Sequence, residues 1–149
     1  MAAHNTEYRS TFIAVAVDCP VSTGVEPPAK EPPTVARIQY DMLIAAPYGR
    51  TSDDIVYASN GARRGIGRDE FFSKGQPCLR ASPLAKRYGW GLHFDANGHV
   101  AMYPVGSSEY ERLSSDPALQ QLNAMRSSKS TEKSADKADK AEPKRSRNA

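Results

Sequence analysis

The chain has 149 residues, 39% of them hydrophobic and 25% charged, enough for one modest core and too few for two independent domains. No apolar run approaches the roughly 20 residues of a membrane helix and no export signal is present, which predicts no membrane partner and a cytoplasmic address. Seven Lys/Arg and four Asp/Glu in residues 127–149 account for the whole net charge of +3, and the neutral body argues against nucleic acid as its partner, because phosphate neutralisation supplies most of such affinity.

Residues 11–17 alternate and are rich in β-branched side chains, which predicts a strand ended by Asp18-Cys19-Pro20. Five prolines between residues 20 and 33 forbid regular structure and predict a stiff loop on the surface. Thr34 is placed to cap a helix over residues 35–46, with Val35, Ile38, Met42 and Ala45 at helical spacing and Pro47 as its stop. Residues 54–58 read as a second strand. The Asn60-Gly61 and Gly65-Ile66-Gly67 stretch reads as a mobile basic connection, and residues 69–74 as a short helix closed by Gly75.

Residues 90–104 predict a hairpin. Asp95-Ala96-Asn97-Gly98 suits a type I turn with Gly98 in the left-handed bulge position, which sets Phe94 opposite Val100 and Asp95 opposite His99. In that register Trp90, Leu92, Phe94, Val100 and Met102 share the core face, while His93, Asp95, His99, Ala101 and Tyr103 share the other. Two helices are then expected. One starts from a capping box of Ser108 and Glu111, and the other follows Asp116-Pro117 with Leu119, Leu122 and Met125 as its apolar stripe. Beyond Arg126 no core-forming residue larger than alanine occurs, so residues 127–149 read as a disordered Lys/Ala/Ser-rich tail. The expected architecture is α+β: a single domain over residues 1–126, in which a small, mainly antiparallel sheet carries helices packed on one face.

The chemistry concentrates in residues 74–93. Residues 60–91 hold seven Lys/Arg against Asp69 and Glu70, which predicts an anion site, and the glycines and prolines around Cys78 fix the backbone so that side chains can converge. Arg80 and Arg87 suit bidentate capture of a carboxylate or phosphate, with Lys74 or Lys86 as point charges and Ser82 as a neutral donor. Tyr88 is placed to stack on a planar ligand, and Tyr103 shares the face of His93. Cys78 reads as a small buried residue or as a nucleophile, with the cations stabilising a thiolate and His93 as its base. Two cysteines make no disulfide framework, and Cys19, Cys78, His93 and His99 lack CxxC or HxxxH spacing, so thiols are expected and no metal or cofactor.

Several stretches together resemble an uncharacterised family of small bacterial proteins, a domain of unknown function. They are Thr11-Phe12-Ile13 with Asp18-Cys19-Pro20, Gln39-Tyr40-Asp41-Met42-Leu43, the run GQPCLRASPLAKRYGWGLHFD over residues 75–95, Ser108-Glu109-Tyr110 and Ala124-Met125-Arg126. The resemblance covers roughly residues 8–127 and implies no catalytic assignment. The residues themselves favour an accessory or binding protein with a small anion pocket formed by Lys74, Arg80, Lys86, Arg87 and His93. The alternative is a cysteine-dependent enzyme or redox protein using Cys78, and the last is weak nucleic-acid binding through the basic tail.

Overall fold

The computed structural model describes residues 6–126. The expected disordered tail, with any nucleic-acid contacts it makes, lies outside the described residues.

Strand β1 (Thr11–Ala14) is the centre of a four-stranded sheet of order β3-β2-β1-β4. β2 (Trp90–Phe94) runs antiparallel to it, and β3 (Val100–Pro104) completes the hairpin in the register expected, with Phe94 opposite Val100 and Gly98 at φ 83° in the turn. β4 (Gln120–Asn123) pairs with β1 in parallel and makes the sheet mixed. It replaces the helix expected after Pro117. Asp116 Oδ1 accepts from the Ala118 N–H at 2.8 Å, an Asx turn in place of a helix cap. The spacing of Leu119 and Leu122 then serves an extended chain: Leu119 packs beside Phe12 on one side of the sheet and Leu122 against the core on the other. Met125, the third member of the expected stripe, is exposed.

Helix α1 (Val35–Ala45) begins where the sequence predicts, with the Thr34 hydroxyl accepting from the Arg37 N–H. Its buried face is Ala36, Gln39 and Leu43 rather than the expected stripe, one position round the helix. The polar Gln39 goes inside because partners wait for it there. Residues 54–58, expected as a strand, are helical. Thr51 and Asp54 cap each other reciprocally at the start of α2 (Ser52–Val56), which runs on through a π-helical turn at Tyr57–Gly61 and a 3-10 turn at Ala62–Arg64. The stretch expected as a mobile connection is thus largely wound. α3 (Arg68–Phe71) and α4 (Pro83–Arg87) are single turns, and α5 (Ser108–Ser114) is capped by Ser107 in place of the expected Ser108.

The main core lies between one sheet face, represented by Ile13, Leu92, Phe94 and Val100, and Leu43, Ile55, Phe71 and Leu84 from α1 to α4. A smaller cluster of Phe12, Tyr110 and Leu113 sits on the other face, where α5 is applied. Burial of these side chains supplies most of the stabilisation, at about 1.5–3 kcal/mol for each large one. The residues before β1 strap across α2: the Thr6 N–H and hydroxyl both donate to Asp53 Oδ1 at 2.7 Å, and Ser52 Oγ donates to the Thr6 carbonyl at 2.9 Å. The proline-rich loop is tied down by the Val25 N–H on the Tyr88 carbonyl and the Trp90 indole N–H on the Val25 carbonyl. No helix among the described residues is long and apolar enough to cross a membrane.

Candidate functional site

A half-open cleft of about 100 Å³ lies where residues 77–83 meet α1 and the end of α2. Pro77 and Pro83 fix φ on either side of a 3-10 turn, Leu79–Ala81, and so present Cys78 and Ser82 to the same opening. Val35 and Val56 add apolar wall, while Gln39 and Asn60 add polar groups. Asn60 reaches the opening from the π-helical turn, whose extra residue redirects the side chains after Val56.

The floor of the cleft is a buried polar chain. Ser82 caps α4 by accepting from the Leu84 N–H and donates to Gln39 Oε1 at 2.6 Å. Gln39 Nε2 donates to Ser59 Oγ at 3.0 Å, and the Ser59 hydroxyl donates in turn to the Ile55 carbonyl at 2.7 Å. Gln39, Ser59 and Ser82 are each at most 3% exposed, so the low dielectric strengthens these bonds and fixes the floor in one arrangement.

At the rim, Cys78 Sγ lies 3.0 Å from the Tyr8 hydroxyl, and the Tyr8 ring leans on Phe94 with 5.4 Å between centroids. Burial, aided by the bond to Cys78, pushes the Tyr8 pKa up to about 12, with Arg80 pulling the other way. The phenol therefore keeps its proton and stands ready to donate to sulfur. Arg80 itself is committed to β4: its Nε donates to the Asn123 carbonyl and its own carbonyl accepts from the Met125 N–H, both at 2.9 Å.

The expected site residues fall into four groups. Cys78 and Ser82 line the cleft, with Arg80 close enough to act on Tyr8. Lys74 and Arg87 point to solvent, Lys86 is half-exposed, and among the described residues none of the three forms an ion pair; the basic side chains do not converge on the cleft. Tyr88 is half-buried at the end of α4 with its carbonyl bonded to Val25. His93 and Tyr103 lie together on the sheet face opposite the main core, as the hairpin register predicts, and that separates His93 from Cys78.

The partner of His93 is Tyr48. The Tyr48 hydroxyl bridges His93 Nδ1 at 2.7 Å and the Tyr103 hydroxyl at 2.9 Å, from a backbone held at φ 59° by its N–H bond to the Val100 carbonyl. A left-handed tyrosine costs about 1–3 kcal/mol, so these bonds are what keep it there. Burial holds the His93 pKa below its ordinary 6.5, with Asp95 and Asp116 opposing and Arg112 assisting. The unfolded chain therefore takes up this proton more readily, and the stability that neutral His93 contributes is present above pH 6.5 and lost as pH falls through the depressed folded value. In urea melts, the stability gap between the native protein and His93→Gln should shrink from pH 7.5 to pH 5. A gap independent of pH would show that His93 carries no such linkage.

Gln39, Asn60, Tyr8 and Tyr48 are the site residues that the sequence does not announce. Gln39 interrupts an otherwise apolar helix face, which is the one local signal among them.

The fold and the cleft define a small α+β protein with a mixed four-stranded sheet and a polar-floored opening beside a free thiol. The chain belongs to DUF6157, a family of unknown function whose model matches residues 3–130. No curated protein and no solved structure matches it.

Proposed function

We propose that this is a binding protein whose cleft takes a small, uncharged, polar molecule. The observation that carries the reading is the lining: Gln39, Asn60, Ser82 and Cys78 are neutral hydrogen-bonding groups, the remaining walls are apolar, and no Lys or Arg is among them. An anion entering there would give up hydration without a compensating charge. The volume of about 100 Å³ holds several waters or a ligand of a few heavy atoms, well below the roughly 300–1,000 Å³ of drug-sized sites. A cytoplasmic address goes with this reading, in keeping with two free thiols.

A second reading makes Cys78 a reactive thiol, favoured by the Tyr8 hydroxyl at 3.0 Å as donor to a thiolate and by Arg80 as the nearby cation. His93 has no part in it.

One experiment addresses both. In a Cys19→Ser background, the rate of Cys78 modification by methyl methanethiosulfonate is followed with and without millimolar neutral fragments (alcohols, ketones and amides) or inorganic phosphate. Neutral fragments are expected to slow modification at least about threefold by occupying the cleft, and phosphate to leave it unchanged. Protection by phosphate alone would restore the anion reading. A rate that no fragment alters but that Tyr8→Phe lowers would put the thiol chemistry first.

A further inference from the structure

Resting on the neutral-ligand reading of the cleft, we infer that its ligand is a small carboxamide or lactam. The inference comes from the hydrogen-bonding capacity that the walls leave unused. Gln39 is 2% exposed and has two N–H donors and a carbonyl. Its carbonyl takes the Ser82 proton and one N–H goes to Ser59. Among the described residues, the second N–H has no acceptor. Asn60 uses its N–H groups on the Val56 carbonyl and Ser59 Oγ, both at 3.4 Å, and its Oδ1 receives no donor among the described residues. A buried donor without a partner is costly, and native structures pair such groups with protein, water or ligand.

The cleft thus offers one donor from α1 and one acceptor from the π-helical turn. The complement of a donor beside an acceptor is an acceptor beside a donor, which is an amide: its carbonyl accepts from Gln39 and its N–H donates to Asn60. A carboxylate has no N–H to give Asn60, and an ammonium has no acceptor for Gln39. Val35, Val56, Pro77 and Pro83 are left for the carbon skeleton, and the volume limits it to about one small ring.

The test is a titration of the full-length protein, labelled with nitrogen-15, with 2-pyrrolidinone, cyclopentanone, cyclopentanol and 1-methyl-2-pyrrolidinone, following the side-chain amide signals of Gln39 and Asn60. The lactam is expected to bind about tenfold more tightly than the other three, the discrimination of one buried hydrogen bond. Asn60→Ala is expected to remove that advantage, so that the lactam binds no more tightly than cyclopentanone. The N-methyl compound makes the same comparison on the unaltered protein, so the result does not depend on the variant folding. Cyclopentanol, cyclopentanone or the N-methyl compound binding as tightly as the lactam overturns the amide assignment and leaves the neutral cleft standing. No perturbation of either side chain by any of the four overturns both.

Discussion

Gly89→Ala is expected to destabilise the protein by roughly 2–5 kcal/mol, through two costs that add. Gly89 sits at φ 82°, where a Cβ is strained by about 1–2 kcal/mol, and that Cβ would stand 2.0 Å from the Thr23 carbonyl oxygen and 2.8 Å from its carbon. Neither backbone atom is the movable end of a side chain. Relief requires the proline-rich loop to lift, and with it the Val25 and Trp90 bonds that hold the loop to the hairpin. Gly65 provides the control. It has a similar φ of 75°, and a methyl group added there would meet nothing within 4 Å, so Gly65→Ala should cost only the conformational part, about 1–2 kcal/mol. Urea melts of the two variants decide it: equal losses would mean that the Thr23 contact contributes nothing.

Phe94→Ala is expected to cost about 3–5 kcal/mol, the range for emptying a fully buried aromatic site. Phe94 has no exposed surface and joins β2 to the helical side of the core. Its ring also supports Tyr8. The loss should therefore reach the cleft: with Tyr8 unsupported, Cys78 is expected to react faster under native conditions, and ligand protection to weaken. A melt within about 1 kcal/mol of the native protein, or an unchanged Cys78 rate, would contradict the arrangement.

The legible parts of this fold are those decided by neighbours in the chain. The hairpin follows from Asp95 and Gly98 in its turn and from strict alternation on either side, and the start of α1 follows from Thr34. α2 is hidden because Ile55 and Val56 are β-branched and the helix is short; its signal is the Thr51 and Asp54 cap, which outweighs propensity over so few residues. β4 is hidden for another reason. Its partner is β1, about a hundred residues earlier, and no local pattern reports a pairing of that span. The site divides in the same way. Cys78 and Ser82 stand out between prolines, whereas Gln39, Asn60 and Tyr8 acquire their roles only when α1, the π-helical turn and the strap before β1 converge on them. The cations of residues 74–87 are close in sequence, yet none lines the cleft: Lys74 and Arg87 are exposed, Lys86 is half-exposed, and Arg80 is bonded to the Asn123 carbonyl.

The central position of β1 bears on how the molecule is made. Thr11 to Ala14 leave the ribosome well before β2 and β4, the strands on either side, which come from residues 90–94 and 120–123. Until those residues emerge, both edges of an apolar strand stand open, and unpaired edges of this kind invite aggregation. Completion of the sheet therefore waits for residues more than a hundred positions downstream, and a nascent chain halted before residue 120 would present β1 with one edge bare.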